Sequence, residues 1–248
     1  MFADICYRKN FLKNVIARVD FVPIEGLDAQ LSPDVSKGVM KYFPIAEPRK
    51  ATARELRISP ERLSQKKSEF MEWRFFGKDR NKTIRFIPPA IIVDYSLYTT
   101  FELLMAEFLD ILAVFFRVYD TAVCTRVGLR YINNITLADG SPLDWNDYIN
   151  PKMLSILDIY PDKQFIARAF HNLELNFGDF NVRYQFGMHN PDYPAPIRKK
   201  SFILDLDAYY QGPQDYNEIA PSLNKFHDRI QEIFELSVTD RLREVMNA

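Results

Sequence analysis

Arg126 and Arg130 stand in a β-rich stretch with Gly128 between them, so both guanidiniums fall on one face of an expected strand, and Asn133 follows near its end. Two planar forks flanking a small residue can grip a phosphate or a carboxylate ligand. The plainer expectation is that each pairs with an Asp or Glu on a neighbouring strand of a mixed sheet. Asp205 and Asp207 also share one strand face and could hold a hard divalent cation through oxygen ligands. Asp94 repeats the first of these aspartates in an equivalent motif where Ser96 replaces the second, so a turn or cap role for the shared Asp is the simpler reading. A third group is basic: Arg49, Lys50, Arg54, Arg57, Lys66, Lys67, Arg74 and Arg85 interleave with Trp73, Phe75 and Phe76. Basic strands with exposed aromatics hold single-stranded nucleic acid by phosphate contacts and stacking, although a sheet that buries its aromatics and solvates its charges gives the same pattern.

Other chemistry-bearing residues offer less. His171, His189 and His227 have no partner at metal-ligand spacing, and His227 lies beside an apolar helical stripe, where a satisfied, partly buried imidazole is expected. Cys124 shares the Arg126 face and is open to activation by it, but an inert buried thiol is the better reading. The sequence contains no nucleophile elbow, glycine-rich phosphate loop or zinc-protease helix, and eight glycines leave few tight backbone cradles. No cofactor is expected.

The elements that must position these groups follow from composition and pattern. In 248 residues, 47% are hydrophobic and 26% charged, as in a globular chain that buries a sizeable core. Phe (20) and Tyr (13) dominate the aromatic content. Residues Met1 to Asn14 include Asp4, Arg8 and Lys9 without a sustained apolar run, which does not read as a signal peptide. The most apolar stretch, Leu103 to Phe116, is broken by Glu107 and Asp110 and is shorter than the ~20 residues of a membrane span. Cys6 and Cys124 support neither a disulfide framework nor a thiolate metal site. A cytoplasmic location without a membrane partner is therefore expected. Charge is unevenly spread: residues 1–97 hold 18 basic against 12 acidic side chains, and the remainder 14 against 21.

A duplication organises the chain. Ile91-Ile92-Val93-Asp94-Tyr95-Ser96-Leu97-Tyr98 recurs as Phe202-Ile203-Leu204-Asp205-Leu206-Asp207-Ala208-Tyr209. Each copy precedes a helical pattern in which Phe108, Asp110, Leu112, Phe115 and Phe116 correspond to Phe226, Asp228, Ile230, Ile233 and Phe234. Upstream, Val19 to Ile24 parallels Leu129 to Asn134, and Ser32-Pro33 through Phe43-Pro44 parallels Asn150-Pro151 through Tyr160-Pro161. The last two each place a capping residue before Pro at the first helical position and a second Pro where the helix must end. The expected fold is α+β: a tandem duplication of a strand-helix-three-strand-helix unit, with an antiparallel-rich mixed sheet and long helices packed on one face. Residues 1–120 form the basic repeat and 121–248 the acidic one, joined as a single compact body.

Strands are expected near 15–23, 50–58, 67–77 and 82–95, then 122–135, 164–177, 180–189 and 200–207. Helices are expected near 33–43, 98–118, 150–159 and 221–236, with a last turn or two over 239–246. Met71, Trp73 and Phe75, Leu173, Leu175 and Phe177, and Val182, Tyr184 and Phe186 alternate as dry strand faces. Gly77 to Asn81 and Gly178-Asp179 suit hairpins. Phe101, Leu104, Met105, Phe108, Leu112 and Phe115 form one apolar helical stripe.

Gly128-Leu129-Arg130-Tyr131-Ile132-Asn133, Leu204-Asp205-Leu206-Asp207 with Tyr209, and the ending His227 to Glu235 with Thr239-Asp240 resemble a sporadically distributed bacterial protein family of about this length and of unknown function. The resemblance implies a bacterial cytosolic protein of the accessory or phage-defence kind, and it carries over no catalytic residue. The leading functional expectation is a non-catalytic recognition protein that binds a macromolecular partner, first of all a protein, in a chaperone-like or antitoxin-like manner. Nucleic-acid or nucleotide binding through the basic N-terminal sheet is the second. A divalent-cation enzyme using Asp205 and Asp207 is the third.

Overall fold

A computed structural model of the chain describes residues 6–59, 62–138 and 140–248, and between 53 and 66 it describes backbone alone. The protein is α+β, with a large antiparallel sheet and five α-helices among the described residues. It divides into two compact units. The first comprises Ile16–Val127 and Gln211–Pro221, and the second Met1–Val15, Gly128–Tyr210 and Ser222–Ala248.

In the first unit, the part of β1 (Leu12–Phe21) from Ile16 onward buries Ala17, Val19 and Phe21 on one face. On the other, Arg18 pairs with Asp20 at 2.5 Å. Helix α1 (Pro33–Met40) begins where expected, because the Ser32 hydroxyl accepts the Asp34 N–H and Pro33 has no N–H to leave unsatisfied. Next come β2 (Ile45–Ala46), β3 (Arg49–Ser59), β4 (Arg62–Phe76), β5 (Lys82–Ile87) and β6 (Ala90–Tyr95), in the sheet order β2-β4-β5-β6-β1 with β3 paired to β4. The single strand expected over 82–95 is instead a hairpin, with Ile84 opposite Val93. Pro88 and Pro89 offer no N–H to continue a ladder, and the chain turns there.

Helix α2 (Phe101–Val118) is capped by Thr100, whose hydroxyl accepts the Leu103 N–H, and it buries the whole expected stripe from Phe101 to Phe115. Phe115 meets Phe21 at 5.0 Å and Phe86 at 6.2 Å between ring centroids, so the helix closes over β1 and β5 through aromatic contacts. Strand β4 is drier at Phe75 than at Met71 and Trp73, which are half-buried.

The second unit holds the Gly128–Thr136 part of β7 (Cys124–Thr136), then α3 (Pro151–Leu154), β8 (Ala169–Asn176), β9 (Asn181–Met188), β10 (Ser201–Gln214) up to Tyr210, α4 (Tyr216–Ser237) from Ser222, and α5 (Asp240–Asn247). Its sheet order is β7-β10-β9-β8. Asn150 caps α3 through the Lys152 N–H, but the helix expected to Ile159 gives way after one turn to 3-10 turns at Ser155–Asp158 and Lys163–Phe165. Helix α4 starts earlier than expected, with Pro221 inside it. Pro221 follows the opening turn, so the missing N–H strands only the carbonyl of Asn217.

The core of this unit gathers Trp145 against Phe202 (5.3 Å) and Phe180 against Phe226 (5.2 Å). The Tyr184 hydroxyl donates to Ser237 Oγ at 2.7 Å, tying β9 to α4. Val182, Tyr184 and Phe186 form the expected dry face, but Leu173 on β8 is 46% exposed. That expectation fails because β8 ends the strand order and has a neighbour on one side only. Only glycine fits opposite Phe170: a Cβ on Gly187, whose φ is +138°, would meet the Ala169 carbonyl oxygen at 2.2 Å.

Candidate functional site

On the face of β7 and β10 that carries the expected ligand residues, Arg130 and Asp205 find each other. Arg130 Nε and Nη2 donate to Asp205 Oδ1 and Oδ2 at 2.7 and 2.5 Å, a planar two-bond fork. Asp205 is buried while Arg130 is half-buried, and hydrogen bonding to Asp205 raises the Arg130 pKa, with Asp207 adding a smaller electrostatic pull. Register continues the pattern outward: Asp205 lies opposite Gln185 and Asp207 opposite Arg183. Arg183 Nε in turn donates to Glu174 on β8 at 2.7 Å. Charges of alternate sign thus step across the strands, as cross-strand pairing favours.

Asn133 does not join Arg130. Three residues on, it points to the opposite face, is buried, and donates from Nδ2 to the Leu204 carbonyl at 3.3 Å. Arg126 lies in the part of β7 that belongs to the first unit. Asp205 gives both oxygens to Arg130, so a cation bound there would have to displace a charge-assisted pair. Among the described residues, no group of three or more His, Cys, Asp or Glu is placed to hold a metal.

The basic strip is partly self-neutralised. Glu72, buried on β4, receives Arg49 Nε at 2.5 Å and lies 3.7 Å from Arg85 Nη1. Lys67 reaches Glu69 at 3.5 Å, and Lys50 is exposed. The side chains of Arg54, Arg57 and Lys66 lie outside the described residues. The sharpest feature is Phe76, whose ring carries Arg74 at 5.4 Å and Arg80 at 4.8 Å from its centroid, with Arg80 also paired to Glu47.

No protein-family model and no curated protein matches the chain. Any chemistry must therefore be argued from the side chains themselves. Among the described residues, no helix is long and apolar enough to cross a membrane.

Sequence spacing gave no sign of one closely held charged group. Lys82 on β5 lies 2.7 and 2.6 Å from the two oxygens of Glu107 on α2, which also accepts the Tyr95 hydroxyl, while Lys82 sits 4.9 Å from the Phe43 centroid. A second such group joins Glu235 to the Tyr7 hydroxyl (2.7 Å) and Arg243 Nε (2.8 Å). Both serve a core rather than a cleft. His227 Nδ1 and the Tyr131 hydroxyl are hydrogen-bonded at 2.9 Å, which gives the half-buried imidazole a partner, as expected.

An open cleft of about 420 Å³ borders the end of α2 and the start of α4, with Phe116, Arg117, Asp120, Val123 and Tyr216 among its lining. Cys124 is buried, and burial pushes its thiol up to about 11. In the native protein at pH 8, a disulfide reagent such as DTNB should titrate the exposed Cys6 promptly and Cys124 at least about tenfold more slowly. Unfolding the protein in guanidinium should equalise the two. Equal native rates would show that Cys124 is an accessible thiolate.

Proposed function

We propose that the protein is a non-catalytic recognition protein that binds a protein partner by broad contact, within the bacterial accessory or phage-defence setting that the resemblance implies. One observation carries the reading. Ile156, Ile159, Tyr160, Phe165, Phe170 and Leu173, all in the second unit, expose between 41% and 74% of their surface. Large apolar side chains left exposed within one short stretch of sequence support a contact role for that segment. The charged groups of the expected catalytic face, by contrast, are engaged with one another. A divalent-cation enzyme built on Asp205 and Asp207 gains no support, because Arg130 holds the first of them.

The duplication belongs to the same proposal: two repeats of one module, each laying its long helix on the same face of its sheet. Strand order supports it. With the two-residue β2 set aside, the order within the first unit is β4-β5-β6-β1, and within the second β8-β9-β10-β7, so the strands that carry Asp94 and Asp205 are third in each. Each of those strands is next in chain order before a long helix, α2 or α4.

A photo-crosslinking residue at Phe165 tests the contact. In the native host, Phe165→p-benzoylphenylalanine should form a covalent adduct with one defined polypeptide, while the same change at Leu97, also exposed, should not. Diffuse or equal labelling from both positions would remove the reading. A nuclease-sensitive adduct would favour the second reading, nucleic-acid binding, whose one specific support is the stacking of Arg74 and Arg80 on Phe76.

A further inference from the structure

Strand β8 ends its sheet, so among the described residues one row of its backbone amides and carbonyls has no strand beside it. Folded proteins usually blunt such an edge with lysine, proline or an inward charge, because an open ladder templates pairing with another strand. The sequence of β8, Ala-Phe-His-Asn-Leu-Glu-Leu-Asn, contains no lysine, arginine or proline. Its one acidic residue, Glu174, is already held by Arg183. Instead of a guard, the strand presents Phe170 at 41% and Leu173 at 46% exposure, one on each face.

The occupant must supply an extended strand that tolerates this edge. Because side chains alternate with period two, residues that face the core side on β8 must meet core-side residues on the incoming strand. A second copy of β8, running antiparallel about a two-fold axis through Leu173, meets that rule. Leu173 then faces its own copy, and His171 faces Leu175 of the partner subunit. On the other surface Glu174 faces Asn172 of the partner subunit, and Phe170 faces Asn176 of the partner subunit. No two like charges are opposed, since Glu174 meets an amide, and the exposed Leu173 is covered by its own copy.

We propose that two copies of this chain associate by antiparallel pairing of β8 with β8. The proposal rests on the reading of this end of the second unit as a contact surface and narrows the occupant to the protein itself.

Sedimentation equilibrium of the full chain over a dilution series tests it. The wild type should form a dimer. Leu173→Lys and Leu173→Glu should each weaken that dimer by at least about tenfold, since each puts two like charges at the axis. An equimolar mixture of the two variants should restore association, because lysine then faces glutamate. Leu173 is 46% exposed, so both variants should keep the wild-type circular dichroism spectrum, and their thermal midpoints should match that of the wild type once it is diluted to monomer. A monomeric wild type, a dimer that both variants leave intact, or a mixture that fails to reassociate would each overturn the pairing. If a monomeric wild type still cross-links through Phe165 to a different polypeptide, the second copy is excluded and the heterologous partner stands. If the dimer forms and every Phe165 adduct is to the same chain, the reverse holds.

Discussion

Arg130→Met should lower unfolding stability by about 2–3 kcal/mol, read in urea by Trp145 fluorescence, and adding Asp205→Leu should return most of that loss. The reason is the asymmetry of buried charge. Removing one partner of a buried pair leaves the other desolvated and uncompensated, at a cost of about 3–5 kcal/mol, whereas replacing both by apolar side chains removes the desolvation cost as well. Asp205 keeps 9% of its side-chain surface and Arg130 38%, so water screens the pair from one side and brings the cost below that range, to about 2–3 kcal/mol. The cycle also decides between two roles. A guanidinium held ready for a phosphate would stand apart from carboxylates in the free protein, and its removal would scarcely change stability. If Arg130→Met is neutral and the double variant is worse than either single change, Arg130 is a ligand residue after all.

This distinction bears on function because the strand face of Arg130 is the place where sequence alone admits catalysis. Once Asp205, Arg183 and Glu174 are found in pairs, the face is a charged lattice that holds strands in register. The unbalanced surface lies elsewhere, in the exposed apolar side chains from Ile156 to Leu173. A surface of that kind binds by area and shape, and a strand edge adds directional backbone bonds to it. Contact at this end of the second unit then needs no reactive group.

What could be read in the sequence was whatever depends on near neighbours. Ser32 and Asn150 cap their helices as expected because a cap is set within three residues. The α2 stripe follows from helical period alone. Errors arise where one local signal admits two structures. Pro88-Pro89 lies inside an apolar run that reads as one strand, and Pro221 reads as a helix start although it sits within α4. The exposure of Leu173 was illegible for a different reason: an alternating strand looks the same at the centre of a sheet and at its edge, and strand order is settled by pairings distant in the chain. A pairing of Arg130 with a carboxylate on a neighbouring strand was the plainer expectation, but nothing in the spacing singled out Asp205 as the one that answers it.

The Lys82, Glu107 and Tyr95 group was hidden in the same way, and it sets the second large effect. Lys82→Met should destabilise the protein by about 3 kcal/mol, because Glu107 keeps only 9% of its side-chain surface and would retain, among the described residues, Tyr95 alone as a partner. Adding Glu107→Gln should recover most of the loss, since the amide oxygen still accepts the Tyr95 hydroxyl and carries no charge to desolvate. Alkaline pH probes the same group from the other side. Burial first, and then the Glu107 carboxylate, hold the Tyr95 hydroxyl well above the ordinary tyrosine pKa near 10. In the unfolded chain that hydroxyl ionises near 10 while the folded protein keeps its proton, so the unfolded state binds fewer protons and stability falls as pH rises. The Tyr95 contribution is therefore whole below about pH 10 and declines above it. Tyr95→Phe should flatten that decline between about pH 10 and 11.5, at the expense of stability at pH 7, where Glu107 loses a donor. A Tyr95→Phe profile parallel to wild type through the same interval would show that the Tyr95 proton is not held by the fold.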